Sequence, residues 1–228
     1  MSKNTTAALL SRVPEAVQER ALLIPIFTKR NVAALIGARE ASVSAWTRGA
    51  APAIGRGLKS GRSPLVIPFT GLLEAEVLQH LEGSGISRRK SQTLVRGMRE
   101  EHGPLAFTEH RLVTDGKDVF VQSGVELMRT VDSQMAHYDV LKTFLARLSF
   151  DREGRAVQYA PDRMPFASVH PLFNGGALSL TESRVPVFAI VGSLRGGEVP
   201  AAVADDYRVP PEHVQAIAHD LDWAEAAS

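Results

Sequence analysis

The sequence of 228 residues predicts a mainly α-helical protein with small β hairpins, of the α+β class. Apolar residues recur at helical spacing in several segments, for example 71–81, 134–148 and 187–194. Asp115 and Gly116 separate two β-prone runs, which is the usual signal of a hairpin. No apolar run reaches the roughly 18 residues of a membrane span, so we expect these helices to pack in a core.

The distribution of charge divides the chain. Residues 1–68 hold ten Lys or Arg against three Glu, a net charge of +7, whereas residues 195–228 hold two Arg against seven Asp or Glu, a net charge of −5. We expect an N-terminal arm, helix-turn-helix and basic loop in 1–68, a middle region of helices and a hairpin, suited to dimerisation, in 69–165, and a small three-helix domain in 166–228. A polyanion attracts the first part and repels the last, which indicates a nucleic-acid end and a protein-binding end.

Residues 27–49 have the spacing of a helix-turn-helix. Two short helices that cross steeply need a small residue at their contact and a glycine in the turn, and Ala33 and Gly37 occupy these positions. On the second helix, Val43 and Trp46 are about 60° apart and face the first helix. The spacing therefore predicts two packed helices with a polar outer face.

If this unit binds DNA, its outer face enters the major groove. Arg39 and Arg48 can reach phosphates or guanine edges there, and Ser44 offers a neutral contact. The alternative is an ordinary two-helix hairpin within a larger core.

Two further basic segments extend the predicted DNA-binding surface. A loop after Gly49 mixes glycine with arginine and lysine and leads into a β-prone run, as the wing of a winged region does. Ser87 then precedes a second basic helix, which with 71–81 forms another helix-turn-helix-like unit or a core hairpin with a solvated basic face. The candidate DNA-binding residues are Lys29, Arg30, Arg39, Ser44, Arg48, Arg56, Lys59, Arg62, Arg88 and Arg89.

The C-terminal part predicts a short strand over 177–180 and three helices over 187–194, 199–206 and 211–223. The last two helices again have helix-turn-helix spacing. Their many carboxylates repel a polyanion, so we expect a protein partner or a dimer contact here.

The motifs HP, GG, RVPV, GSLRGGE and VADDYRVPPEHV of the C-terminal part resemble a compact antitoxin domain. They follow SVSAWTRG, a basic helix and RLVTDGKDVFV, and this order over roughly 25–225 is similar to that of larger VapB-type antitoxins. The resemblance implies an antitoxin of a type II toxin-antitoxin pair, whose toxin is a metal-dependent ribonuclease with a PIN domain. It also implies a homodimer that binds operator DNA and represses its own operon.

The resemblance also implies where the toxin binds. An antitoxin can cover the acidic PIN site or insert an arginine that competes with the metal. The candidate toxin-binding residues are Leu178, Leu180, Arg184, Val187, Phe188, Val191, Arg195 and Arg208. The alternative for Arg184 is a loop residue that covers Val185 and Phe188.

The sequence offers no pattern for catalysis, metal or cofactor binding. Its seven histidines lack ligand spacing, it has no cysteine, and no nucleophile elbow, Walker loop or dinucleotide fingerprint is present. We therefore expect a non-enzymatic, cytoplasmic protein without membrane contact. The alternative function is a helix-turn-helix transcription regulator with a ligand- or partner-sensing C-terminal region.

Overall fold

The computed structural model describes residues 13–49, 51–57, 64–109 and 144–228. The hairpin predicted around Asp115 and Gly116 lies outside these residues, as does most of the helix predicted over 134–148. At the described end of that segment, residues 144–146 are helical and Leu148 already belongs to a strand.

The described residues are mainly helical with small antiparallel sheets, which confirms the predicted fold class. The helices are α1 (Glu15–Leu23), α2 (Lys29–Leu35), α3 (Glu40–Trp46), α4 (Phe69–Gly83), α5 (Arg88–His102), α6 (Val187–Arg195), α7 (Pro200–Tyr207), α8 (Pro211–His219) and α9 (Leu221–Ala227). The strands are β1 (Pro25–Phe27), β2 (Ile67–Pro68), β3 (Leu148–Phe150), β4 (Ala156–Tyr159), β5 (Ala167–Ser168) and β6 (Ser179–Leu180). Single 3-10 turns cover Ala106–Thr108 and Asn174–Gly176.

The strands pair as β1 with β2, β3 with β4 and β5 with β6. In the first pair Phe27 lies opposite Ile67. Strand β1 immediately precedes α2 and strand β2 immediately precedes α4, so the two paired strands flank α2 and α3 in the sequence. The strand predicted after the basic loop is therefore β2, and its partner is β1.

Helix α4 lies at the centre of the structure. Every residue from Phe69 to Leu78 is buried, because α1, α5, β1, β2 and the 3-10 turn Ala106–Thr108 all pack against it. A single cluster of buried apolar side chains extends from Leu22 to Ala227 and includes α4. The parts that charge separates along the sequence thus share one core.

Burial of α4 on all sides encloses Glu74, which is 1% exposed. Arg99 of α5 donates to its Oε2 at 2.7 Å, and the Gly55 backbone N–H donates to the same oxygen. Arg99 also donates to the carbonyls of Ala53 and Pro52, at 3.2 and 2.8 Å. Burial raises the pKa of Glu74 to about 7, against the opposing effect of Arg99. Arg99 thus belongs to the interior, which removes it from the basic face expected on this helix.

Glu76, two residues further along α4, forms a second buried polar network. Its carboxylate pairs with Arg147 and accepts a hydrogen bond from the Tyr159 hydroxyl at 2.9 Å. The same hydroxyl lies 3.3 Å from the carbonyl oxygen of Leu35, at the end of α2. Burial raises the pKa of Glu76, and the positive charge of Arg147 opposes this rise. Burial also raises the pKa of Tyr159 well above its ordinary value. The network connects α2, α4 and β4 through polar atoms that would be costly to leave unpaired.

The C-terminal part has more helices than expected. The helix predicted over 211–223 is two helices, because the backbone leaves helical geometry at Asp220 (φ −110°, ψ 36°), where α8 ends and α9 begins. Four helices, α6 to α9, therefore replace the expected three among residues 187–227. The strand predicted over 177–180 is confined to Ser179–Leu180.

Arg99→Met should lower the free energy of unfolding by roughly 3 to 5 kcal/mol at pH 8, because it leaves the Glu74 carboxylate buried without its partner. At pH 5 the loss should be smaller, since Glu74 then takes up a proton and needs no counter-charge. Urea unfolding at both pH values measures the difference, with Arg89→Met on the exposed face of α5 as the control. An equal loss at both pH values would contradict this account.

Candidate nucleic-acid and partner surfaces

The N-terminal helix pair has the geometry that its sequence predicts. Thr28 caps α2: its Oγ1 accepts from the Asn31 N–H at 3.0 Å, and Asn31 Oδ1 accepts from the Thr28 N–H at 2.9 Å. The chain then turns at Gly37, whose φ of +68° is costly for residues with a side chain. The first residue of α3 follows at Glu40, and Arg39 at its N-cap provides no side-chain cap.

The facing sides of α2 and α3 are closed. Val32, Val43 and Trp46 are fully buried, and Ala33 is 5% exposed. The indole N–H of Trp46 donates to Glu82 of α4 at 3.1 Å, which attaches α3 to the central helix. This packing fixes which side of α3 faces outward.

The outer face of α3 collects several of the candidate DNA-binding residues. Arg39 and Arg48 are exposed, and the Arg48 Nε donates to the Ser44 carbonyl at 3.1 Å. Lys29 of α2 reaches Ser44 Oγ at 3.5 Å, so the two helices contribute to one polar surface. Arg30 is exposed on α2 as well.

The remaining candidates lie apart from α3 in the chain. Arg56 is exposed and donates to the Gly49 carbonyl at 3.1 Å, whereas Lys59 and Arg62 lie outside the described residues. Arg88 and Arg89 are exposed at the start of α5, and the Arg88 Nε lies 3.5 Å from Glu82.

Helix α9 packs against α2, a contact that was not predicted from the sequence. Asn31 donates to the carbonyls of Ala226 and Ser228 at 3.1 and 2.8 Å, and the indole N–H of Trp223 donates to the Ala34 carbonyl at 2.9 Å. No sequence signal pairs a seven-residue helix with another so far away, although Ala224 and Ala227 do have the spacing of a small buried face.

The apolar candidates for toxin binding fall into two groups. Leu178, Leu180, Val187 and Val191 are at most 5% exposed and belong to the core, because α6 packs on the other C-terminal helices. We therefore correct their assignment to a contact surface. Phe188 points outward from α6 and is 53% exposed.

The three C-terminal arginines have different surroundings. The Arg184 guanidinium lies 4.1 Å from the centre of the Phe173 ring, and its backbone has a φ of +60°. Arg195 pairs with Asp222 and Glu225 of α9, the latter at 2.9 Å. Arg208 is exposed at the left-handed end of α7, with a φ of +54°. Arg195 therefore already has two acidic partners within the chain.

A cavity of about 30 Å³ lies beside Arg184, with His170, Ser168 and Thr181 among its lining residues. His170 is 6% exposed; its Nδ1 accepts from the Leu172 N–H at 3.1 Å, and its Nε2 is buried without a partner among the described residues. Burial lowers the pKa of His170 to about 4, and the charge of Arg184 acts in the same direction. The ring is therefore neutral near pH 7, and the cavity has room for water rather than for a metabolite.

In the part of the chain that the structure describes, no group of three or more acidic, histidine or cysteine side chains is arranged to hold a metal ion. None of the helices described is both long and apolar enough to cross a bilayer.

The fold and these surfaces define a mainly helical protein in which a basic helix pair and an acidic C-terminal region share one core. The chain is similar to a Mycobacterium tuberculosis (strain H37Rv) protein named "Putative antitoxin VapB45", with 26% identity over 171 residues, 65% of this chain and 69% of the relative. This similarity confirms the resemblance to VapB-type antitoxins. No family model matches the chain.

The fold is also similar to that of a solved structure. The crystal structure of Rv2018 from Mycobacterium tuberculosis superposes with a TM-score of 0.70 and 22% identity, over 85% of this chain and 97% of that one. At this identity the comparison supports the fold alone.

His170 should make the protein less stable as the pH falls from about 6.5 to about 4. In this range the unfolded chain protonates the imidazole while the folded protein keeps it neutral, so the free energy of unfolding decreases. His170→Asn retains a side-chain acceptor and should reduce this decrease by on the order of 1 to 3 kcal/mol. Urea unfolding at pH 4.5 and 7 measures the decrease in the free energy of unfolding. The control is His219→Asn, since His219 is exposed. An unchanged pH dependence would show that His170 is not the responsible group.

Proposed function

We propose that this chain is an antitoxin that neutralises a PIN-domain ribonuclease toxin by direct binding and represses its own operon by binding DNA. The observation that carries the proposal is the similarity to VapB45 over 65% of the chain. On this proposal the protein acts by binding, without catalysis or a cofactor.

The structure supports the DNA-binding half through the surface of α2 and α3. The buried face of α3 leaves Ser44 on its outer side, with exposed Arg39 and Arg48 at its two ends, and a helix so placed can enter a major groove. Lys29 and Arg30 on α2 can then contact phosphates beside the groove. A homodimer would place two such surfaces on a palindromic operator, about one helical turn apart.

Charge and exposed apolar surface support the toxin-binding half. A PIN site is an acidic cluster that holds divalent metal, so a cation from the antitoxin can compete there. Of the three candidate arginines, Arg195 pairs with Asp222 and Glu225 within the chain, Arg208 is exposed, and the guanidinium of half-buried Arg184 lies against Phe173. Phe188, four residues after Arg184, offers an exposed aromatic anchor of the kind that protein interfaces bury.

Co-expression with the product of the adjacent small open reading frame tests the proposal as a whole. We expect the two proteins to co-purify and the chain to rescue growth of cells that express the neighbour. If no neighbouring frame encodes a PIN-like acidic constellation, or if the pair neither co-purifies nor rescues growth, the transcription-regulator alternative replaces the antitoxin.

Arg48→Ala should weaken binding to the cognate operator by roughly 1 to 3 kcal/mol if the guanidinium reads a base edge. Fluorescence anisotropy at several salt concentrations, with cognate and scrambled duplexes, measures it. Arg20→Ala on exposed α1 is the control. An equal loss on both duplexes, with a shallower salt dependence, would make Arg48 a phosphate contact instead.

Phe188→Asp should weaken toxin binding by at least tenfold, because it removes an aromatic anchor and places a negative charge before an acidic site. Val17→Asp is a matched control, since Val17 is 50% exposed on α1, remote in sequence from α6. Titration calorimetry with purified toxin measures both variants. Equal weakening by the two substitutions would exclude α6 as the specific contact.

A further inference from the structure

Helix α9 packs on the first helix of the proposed DNA-binding unit, although 189 residues separate Trp223 from the carbonyl to which it donates. We propose that α9 is a structural component of this unit and that Asn31 and Trp223 are positioning residues that hold α2 in its DNA-binding orientation. This inference rests on the DNA-binding half of the proposed function.

Asn31 joins the two helices through both ends of its amide. Its Oδ1 accepts from the Thr28 N–H at 2.9 Å and caps the start of α2. Its Nδ2 donates to the carbonyls of Ala226 and Ser228, which lie at the end of α9, at 3.1 and 2.8 Å. One side chain thus satisfies an orphan donor of α2 and orphan acceptors of α9.

Trp223 secures the opposite end of α2. Its indole N–H donates to the Ala34 carbonyl at 2.9 Å, in the last turn of the helix. A helix of seven residues is only marginally stable by itself, so its position depends on such tertiary contacts. Because α3 packs on α2, a shift of α2 would also displace the outer face of α3.

The acidic groups of α9 are paired, which makes its place beside a DNA-binding helix electrostatically acceptable. Arg195 of α6 lies 2.9 Å from Glu225 and also pairs with Asp222. Arg163 donates to both carboxylate oxygens of Asp220, at 2.9 and 2.7 Å. Arg195 thereby acquires a second role, the partial neutralisation of α9, beside its candidacy for toxin binding.

Two substitutions remove these contacts in the full chain. Asn31→Asp keeps the oxygen that caps α2 and removes the donor to α9, but it adds a negative charge that repels DNA by itself, so this variant is read by hydrogen exchange alone. Trp223→Phe keeps the ring, removes the indole N–H without a change of charge, and is read by both exchange and DNA affinity. Tyr207→Phe is the matched control. It removes one hydrogen bond from an aromatic side chain to a backbone carbonyl, that of Ala189 at 3.4 Å, and neither residue belongs to α2. The readouts are amide hydrogen exchange of residues 32–35 and anisotropy with a duplex from upstream of the chain's own gene.

We expect Trp223→Phe to speed exchange in 32–35 about fivefold, the effect of one lost hydrogen bond, and Asn31→Asp, which loses two, to speed it at least as much. The affinity of Trp223→Phe for the duplex should fall by a similar factor, and the Tyr207→Phe control should change neither. Unchanged exchange in α2 would overturn the inference, and so would faster exchange with unchanged affinity. If wild-type protein fails to bind the duplex, the DNA-binding proposal fails, while the exchange data still decide whether α9 holds α2.

Discussion

The burial of α4 on all sides is the constraint on which the rest of the structure depends. It takes Glu74 and Glu76 out of water, and each carboxylate requires a cation and further donors there. Arg99 and Arg147 meet this requirement from opposite sides, while Tyr159 extends one network to within 3.3 Å of the Leu35 carbonyl. The end of α2 is therefore positioned by the same polar interior that supports the central helix.

Local patterns predicted the parts of the fold that depend on neighbouring residues. The spacing of Ala33, Gly37 and Trp46 was enough to place α2, the turn and α3. The split at Asp220 was not predictable, because 211–223 has continuous helical spacing. Nor was the all-round burial of α4, since Glu74 and Glu76 resemble the polar side of a surface helix.

The same distinction applies to the candidate surfaces. Sequence located the exposed arginines that flank α3, Arg39 and Arg48, but it could not tell that Leu178 and Val187 are core residues, because apolar residues of core and of interface look alike in a small domain. Net charge by segment suggested two separate ends. The fold instead brings acidic α9 onto basic α2, and the ion pairs of Arg163 and Arg195 allow this proximity.

The contact between Trp223 and α2 also bears on biosynthesis. A ribosome adds roughly 5 to 20 residues per second, so the 189 residues between the two partners take roughly 10 to 40 s to synthesise. During that time α2 has emerged without the helix that holds it. A nascent or prematurely terminated chain would therefore carry α3, the proposed recognition helix, without a fixed first helix, and only chains that include α9 would present the assembled pair of helices.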